Sequence, residues 1–318
     1  MSKKLSYSGL NKLLFSPKIY YRHYILGEKQ DSIDSWAIEG SIVDAYLTDQ
    51  KITDKFSVVP GNIPSESTKK LIYKIYKERN LENPSVDLST YQEEILEGLR
   101  QINLHQALKT DAQRLDKILT EDAKNYFKFL CESEGKIVTD VETLINGKFR
   151  ADLVKDDSMS SARLCLAGSS FNKEVLTQQM FEHDLTNEYG FILRGIPDRI
   201  VIDHRNSTIT IFDIKTTGKT LADFYPDTYE YLKYDLQSAI YSFLIKKNLV
   251  KDELKSYSVK FEFFVIDKYD QFCFFPVSHA SMEHNMNKLR EALNKAKYHL
   301  STEDFSRPYE FKDGIYNI

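Results

Sequence analysis

The chain has 318 residues, and its 43 Lys and Arg against 47 Asp and Glu give a net charge of −4. With 42% apolar and 28% charged residues, the composition is typical of a folded protein with a substantial core. No apolar run reaches the roughly 20 residues that a membrane-spanning helix needs, and no apolar segment typical of a signal peptide follows the N-terminal lysines. The three cysteines form no CxxC pair, which excludes a disulfide framework, an all-cysteine zinc site and a four-cysteine iron–sulfur cluster. We therefore expect a cytoplasmic protein with no membrane partner.

The first part of the chain is predicted to be helical. Ser6 or Ser8 could cap the first helix, and Pro17 should interrupt it. The predicted segments are, in order, a helix over 8–25, a helix over 35–49, a short strand and loop over 52–64, and a helical insertion over 65–134. The insertion could guide DNA or contact a partner protein.

From residue 137 the apolar period changes to two, which predicts strands. The predicted strands are 137–145, 149–154, 174–185, 190–202 and 208–216, with turns such as Asn146-Gly147 between them. The remaining segments are a helix over 227–247, strands over 257–267 and 271–277, and a helix over 279–300. This order predicts an α/β fold with a mixed central sheet flanked by helices. We expect one domain over 1–318, with N-terminal helices over 1–64, the insertion over 65–134 and the sheet core over 135–318.

Basic and aromatic residues are concentrated at the N-terminus. Residues 1–29 contain six Lys and Arg and one Glu, a local excess of 6 − 1 = 5 positive charges, and four tyrosines lie among them. Such a segment could be an ordinary solvated amphipathic helix or a surface that follows phosphates and stacks on bases. The candidate DNA-binding residues are Lys12, Lys18, Tyr21 and Arg22.

Several common catalytic signatures are not present. Gly218-Lys219-Thr220 is similar to the end of a P-loop, but Asp213 stands where that motif requires a glycine. The sequence also contains no GxGxxG, GxSxG or HExxH motif. Nucleotide cofactors, serine hydrolysis and thermolysin-like zinc chemistry therefore have no support.

Two carboxylates and a lysine are predicted to meet at one end of a β-hairpin. Asp213 and Lys215 lie two positions apart on one strand, so they project from the same face. Asp198 lies near the end of the preceding strand, and the turn around Asn206 would bring it beside Asp213. The alternative is a structural Asp–Lys pair on a sheet surface, but the apolar run before Asp213 makes an unpaired charge there costly.

These residue types suit a hard divalent cation. Mg²⁺ and Mn²⁺ prefer oxygen ligands, and the backbone carbonyl of Ile214 would add a neutral ligand beside the carboxylates. Lys215 would orient or deprotonate an attacking water and offset the charge of a phosphate.

The predicted helix that follows has a polar face and an apolar face. Tyr234, Gln237 and Tyr241 share one face by their three- and four-residue spacing. A separate apolar stripe should pack on the sheet, and it consists of Leu232, Leu236, Ile240 and Phe243. Without the neighbouring carboxylates, Gln237 and Tyr241 would be interpreted as an exposed polar face.

Four elements in this order resemble the PD-(D/E)XK nuclease superfamily, and most closely its phage-type, RecB/RecE-like exonuclease branch. In chain order they are Leu5-Ser6-Tyr7-Ser8-Gly9-Leu10 with Ser16-Pro17, the helix Glu39-Gly40-Ser41-Ile42-Val43-Asp44-Ala45-Tyr46-Leu47, Pro197-Asp198 with Asp213-Ile214-Lys215, and Gln237-Ser238-Ala239-Ile240-Tyr241. Each is weak alone, whereas the ordered set is fairly specific.

The resemblance implies a metal-dependent DNA nuclease, an exonuclease of phage-type recombination, replication or repair, with phage recombination or replication proteins as partners. Its cofactor would be one or two Mg²⁺ or Mn²⁺ ions, without an iron–sulfur cluster. The implied roles are metal ligation by Asp198 and Asp213, catalysis by Lys215, and positioning of the site and the DNA backbone by Gln237 and Tyr241. The family's metal-ligating histidine corresponds to Asp44 here, a departure that still supplies a ligand for a hard cation.

Two alternatives remain at this point. Asp44 in place of histidine and the negative net charge are also compatible with a nucleic-acid-binding or assembly factor that has lost cleavage. Asp152 mimics the position of Asp198 after a predicted strand pair, but no DxK follows it, so Asp198 is preferred. Glu174 is expected to face solvent, and Glu182 either faces solvent or adds an acidic group to the site.

Overall fold

The computed structural model describes residues 3–28, 35–79, 82 and 85–314. Lys29, which belongs to the predicted basic segment, lies outside the described residues. The chain forms two compact units, of which the first comprises 1–49 and 149–318 and the second 50–148. The second unit is therefore wider than the predicted insertion over 65–134. In the described part of the chain, none of the helices is long and apolar enough to cross a bilayer.

The N-terminal half of the chain is mainly helical. Its elements are β1 (Lys3–Leu5), α1 (Tyr7–Phe15), α2 (Pro17–Tyr20), a π-helical turn (Tyr21–Ile25), α3 (Ser35–Leu47), α4 (Ile52–Lys55), β2 (Phe56–Val58), α5 (Glu66–Glu78), α6 (Gln92–Gln101), α7 (Asp111–Ile118), α8 (Glu121–Glu132), β3 (Ile137–Thr139) and α9 (Val141–Asp156). Ser6 caps α1, because its Oγ accepts the Gly9 N–H at 3.3 Å. As expected, the first helix is interrupted at Pro17.

The C-terminal half contains most of the strands. Its elements are α10 (Ser158–Leu164), β4 (Lys173–Thr177), β5 (Phe181–Asp184), α11 (Thr186–Tyr189), β6 (Phe191–Gly195), β7 (Arg199–Asp203), β8 (Thr208–Thr216), α12 (Leu221–Asp223), a π-helical segment (Phe224–Tyr229), α13 (Tyr234–Asn248), β9 (Ser258–Ile266), β10 (Phe272–Pro276) and α14 (His279–Thr302). The predicted helix over 227–247 thus begins later, because Lys233 takes a left-handed φ of 57° immediately before α13.

The central sheet of the first unit has five strands in the order β10-β9-β8-β7-β4. Strands β8 and β9 are parallel and the other pairs are antiparallel, so the predicted mixed sheet is confirmed. Alternation along β8 sends Ile209 and Ile211 into one apolar core, with residues of α1, α13 and α14. It sends Phe212 and Ile214 into a second core, with residues of α3 and α10. Helices therefore flank both faces of the sheet.

A second sheet of the same unit has the order β1-β6-β5. The predicted strands 174–185 and 190–202 are each divided between the two sheets, so their predicted continuity is wrong. The first divides at Gln178, whose φ of 49° turns the chain between β4 and β5. The second divides at Ile196-Pro197-Asp198, where the proline removes a ladder donor. The Gln178 N–H donates to the Asp198 carbonyl at 3.2 Å, which joins the two breaks.

The strands predicted over 137–145 and 149–154 are also wrong, since β3 is short and α9 follows it. In α9 the buried positions are Thr143, Gly147, Ala151 and Val154, which have helical spacing. The Asp140 carboxylate accepts the Thr143 N–H at 2.7 Å and caps the helix. Consequently, Asn146-Gly147 is not a hairpin turn, and Asp152 lies on a helix rather than at a strand end.

The second unit has its own apolar core. Helices α5, α6, α7 and α8 surround buried side chains that include Ile72, Ile95, Leu99 and Phe127. Strands β2 and β3 form a two-stranded parallel sheet. The predicted strand and loop over 52–64 are, within this unit, the short helix α4 followed by β2.

Candidate active site

Asp198, Asp213 and Lys215 lie together at one end of the β7–β8 pair. The ladder ends where Arg199 pairs with Phe212, so Asp198 falls beside the next residues of β8. Its Oδ2 accepts the Ile214 N–H at 2.7 Å. The Asp213 Oδ2 and the Lys215 Nζ are 2.6 Å apart, and Asp213 is 1% exposed. The structure therefore brings together the three side chains that the sequence singled out.

The backbone of Ile214 belongs to the same cluster. In a strand, the N–H and C=O of one residue face the same neighbouring strand. Because the Ile214 N–H faces Asp198, its carbonyl lies at that edge too. The carbonyl is thus available as a neutral oxygen ligand beside the carboxylates.

Gln237 and Tyr241 approach the cluster from α13. The Gln237 Nε2 donates to the Asp213 Oδ1 at 2.8 Å and lies 3.3 Å from the Tyr241 hydroxyl. Both side chains are buried rather than on an exposed polar face. A Cβ added at Gly195 would lie 2.8 Å from the Tyr241 ring. The glycine before Pro197 and Asp198 therefore leaves room for the tyrosine.

Asp44 reaches the cluster from α3 through a residue that sequence reasoning did not identify. The Gln178 Nε2 donates to the Asp198 Oδ1 at 3.1 Å and to the Asp44 Oδ1 at 3.3 Å. Gly40 lets α3 approach closely, since a Cβ there would lie 2.2 Å from the Thr216 Oγ1. The only sequence signal for Gln178 was a polar residue in the middle of a long predicted strand. The remaining acidic candidates lie elsewhere: Glu174 is exposed and Glu182 pairs with Lys4 at 2.8 Å.

The cluster has excess negative charge. Burial raises the pKa of Asp198 well above its usual range, and the charges of Asp44 and Asp213 add to this effect, while Lys215 and the Ile214 N–H oppose it. Burial also raises the pKa of Asp213, against the opposing effect of Lys215. For Lys215, burial favours the neutral amine, but the neighbouring carboxylates outweigh it and raise its pKa well above the usual value. Lys215 is therefore an ammonium at neutral pH.

The available ligands suit a hard cation. Within the described ranges, no three His, Cys, Asp or Glu side chains form a ready-made metal cage. Mg²⁺ does not need one, because it commonly keeps several waters and binds one or two carboxylates together with substrate phosphates. The buried Gln237 Oε1 also has no hydrogen-bond partner in the described part of the chain. The available oxygen donors are the carboxylates of Asp44, Asp198 and Asp213, the Ile214 carbonyl and this amide oxygen. Such an all-oxygen set fits Mg²⁺ or Mn²⁺.

A family model described as the PD-(D/E)XK nuclease superfamily matches residues 4–308. The chain belongs to the PD-(D/E)XK nuclease superfamily. Membership supports a hydrolytic nuclease.

The other comparisons add little to this PD-(D/E)XK assignment. Among curated proteins nothing matches. Among solved structures, the chain is similar to a provisionally assigned exonuclease from Eubacterium rectale, with 12% identity, a TM-score of 0.47, and coverage of 93% of this chain and 82% of that one. A likeness at this level carries no argument about activity.

The candidate DNA-binding residues of this PD-(D/E)XK protein lie apart from the carboxylates and make contacts of their own. The Lys12 Nζ is 3.3 Å from the His23 Nδ1, and Arg22 forms an ion pair with Glu28 at 2.6 Å. Lys18 and Tyr21 line a separate groove of about 530 Å³. Among the described residues, these side chains make no hydrogen bond or ion pair with Asp198, Asp213 or Lys215.

Proposed function

We propose that the chain is a metal-dependent DNA nuclease, an exonuclease of the RecB/RecE-like branch that acts in phage-type recombination, replication or repair. The observation that carries this proposal is the meeting of Asp198, Asp213 and Lys215 at the end of β7 and β8. Superfamily membership supports it, and so does the Gln178 amide, which holds Asp44 beside Asp198.

One or two Mg²⁺ or Mn²⁺ ions would be held by Asp198, Asp213, Asp44 and the Ile214 carbonyl. When bound, the cation would act as a Lewis acid that offsets negative charge on the phosphate. Burial is the main reason that the pKa of Asp198 is raised, and cation binding would relieve the repulsion by Asp44 and Asp213 that adds to it.

The chain's own residues would divide the remaining work. The Lys215 ammonium would orient the attacking water and stabilise the charge that develops on the phosphate oxygens. Gln237 would hold the Asp213 carboxylate in position, and the Tyr241 hydroxyl would orient the Gln237 amide by accepting its N–H.

The N-terminal residues Lys12, Lys18, Tyr21 and Arg22 would guide the DNA backbone towards this site. Counterion release makes the affinity of such a surface fall with salt, in proportion to the phosphates that it contacts. Charge reversal at Lys12, Lys18 and Arg22 should therefore flatten the slope of log affinity against log salt by about one per lost phosphate contact. An unchanged slope would return the segment to an ordinary solvated helix.

The direct test is digestion of end-labelled single- and double-stranded DNA with Mg²⁺, with Mn²⁺, and with EDTA. The wild type should release nucleotides with either metal and not with EDTA. Asp213→Asn and Lys215→Met should each lower cleavage by about 1,000-fold while circular dichroism shows an intact fold. Lys173→Met removes a lysine from the opposite end of the same sheet, where its Nζ lies 4.0 Å from Asp203, and should cleave like the wild type.

Two outcomes would reject the proposal. Cleavage that persists in both purified site variants would show that these residues are not the active site. DNA binding with no product under any metal condition would instead favour the alternative, a nucleic-acid-binding or assembly factor on a nuclease fold.

A further inference from the structure

A groove of about 720 Å³ opens beside Lys215 in the first unit. Its walls include Trp36, Tyr231, Tyr234 and Lys219, and it follows the chain directly beyond the end of β8. The roles discussed above for the carboxylate cluster use none of these four side chains.

The groove adjoins the candidate active site through one residue, Tyr234. The Tyr234 ring lines it, and the Lys215 Nζ lies 4.9 Å from the centroid of that ring. A phosphodiester placed against Lys215 would therefore have an adjoining nucleotide in the groove. Lys219 adds positive charge at the same wall, which complements a phosphate.

Two exposed aromatic residues, Trp36 and Tyr231, line this groove. Trp36 packs directly on Gly218, where a Cβ would lie 2.6 Å from the indole, yet the residue stays 44% exposed. Tyr231 is 77% exposed. The next residue, Leu232, is held to α1, because its carbonyl accepts hydrogen bonds from the Tyr7 hydroxyl at 2.5 Å and the Asn11 Nδ2 at 3.1 Å.

Exposed aromatic faces of this kind bind nucleobases by stacking, independently of sequence. A base inside a duplex already has neighbours on both faces and must unstack before it can meet another ring. We infer that Trp36 and Tyr231 bind an unpaired nucleobase next to the scissile phosphate, so that the enzyme takes single-stranded or frayed DNA ends. This inference rests on the proposed nuclease function.

Trp36 is the only tryptophan of the chain, so its fluorescence reports the groove directly. In EDTA, where no cleavage is expected, the full chain would be titrated with a ten-nucleotide oligothymidylate and with a blunt, G·C-rich hairpin of ten nucleotides whose stem is closed by a non-nucleotide linker. The oligothymidylate should quench Trp36 emission to saturation, and the hairpin should bind at least about tenfold more weakly. Equal quenching by the two probes would overturn the inference.

Variants test the same point with a measurement that does not depend on Trp36 fluorescence. Tyr231→Leu and Trp36→Leu should each weaken binding of fluorescein-labelled oligothymidylate by about tenfold in anisotropy. The matched control is Tyr269→Leu, which removes another exposed tyrosine, 61% exposed, outside the groove and should bind like the wild type. Because Tyr231 is on the surface, its variant stays informative if Trp36→Leu folds poorly.

The result separates this inference from the proposed function. Metal-dependent cleavage without quenching, and with normal binding by both variants, would overturn the groove assignment and leave the nuclease proposal intact. Selective quenching and weakened variants in a protein that never cleaves would support the groove and contradict only the catalytic proposal.

Discussion

Asp198 and Arg199 are neighbours in the sequence, but their buried charges have opposite surroundings. The side chain of Arg199 is 0% exposed and burial lowers its pKa, but each of its three nitrogens has an acceptor. Its nitrogens donate to the backbone carbonyls of Leu164 at 2.6 Å, Leu47 at 2.7 Å and Cys165 at 2.8 Å, and to the Asp49 carboxylate at 3.3 Å. Arg199 thereby ties the helices on that face of the sheet to β7.

The Asp198 cluster, on the other side of the same strand end, is not balanced in this way. Burial raises the pKa of Asp198, and the charges of Asp44 and Asp213 add to this effect, while the Lys215 ammonium opposes it. Burial of a charge therefore does not by itself mark a functional site. What distinguishes the two regions is whether the protein supplies the compensating charge or leaves it to a ligand.

The largest effect is expected at Arg199. Arg199→Met removes the donors of the Leu47 and Leu164 carbonyls, while the Cys165 carbonyl still accepts the Gly168 N–H at 2.9 Å. The free energy of unfolding should therefore fall by about 3–5 kcal/mol in urea titrations. Arg199→Lys keeps the positive charge but loses the planar set of donors. Its free energy of unfolding should lie between those of the wild type and Arg199→Met. A loss below about 1 kcal/mol for Arg199→Met would mean that the buried guanidinium does not stabilise the fold.

A smaller effect is expected at Gln178, which holds the two acids together. Removing the amide should weaken Mn²⁺ binding by about 10–100-fold, as measured by calorimetric titration of the protein without DNA. Gln178→Ala and Gln178→Gly should be equally affected, but the glycine variant should be more stable by about 1 kcal/mol, since φ at this position is 49°. Mn²⁺ affinity unchanged in both variants would remove Gln178 from the site.

The smallest effect, and one of opposite sign, is expected at Asp198. Asp198→Asn removes the repulsion with Asp44 and Asp213, so stability in EDTA should stay constant or rise by about 1 kcal/mol while cleavage is lost. The control is Asp203→Asn at the other end of β7, since Asp203 accepts the Asn206 N–H at 3.0 Å and loss of its carboxylate should destabilise the fold by about 1 kcal/mol. Clear destabilisation by Asp198→Asn would contradict the imbalance described here.

The position of the candidate site could be predicted because it depends on local sequence. An apolar strand that ends in Asp213-Ile214-Lys215, with Asp198 one hairpin earlier, fixes the register that brings these residues together. The face shared by Gln237 and Tyr241 follows from helical spacing in the same way. Their roles in catalysis remain predictions.

Other features arise only from tertiary structure. Gln178 lies 134 residues from Asp44 and adopts a left-handed φ that glycine usually provides, so no local signal marks its bend. Strands are predicted in place of helix α9 because Asn146-Gly147 is typical of hairpin turns. The cap at Asp140 is the local signal that indicates a helix there. Pro197 was the signal that could have divided β6 from β7.

The pairing of β8 has a consequence for motion. This strand lies inside the five-stranded sheet, and it pairs with β9 along all of Thr208–Thr216 and with β7 over its first half. Amides so placed exchange their hydrogens with solvent only when the whole fold opens, whereas the segment 217–233, which lies outside the sheet strands, can open locally. We therefore expect Asp213 and Lys215 to lie in the slowest-exchanging part of the described chain, beside a groove wall whose amides exchange faster.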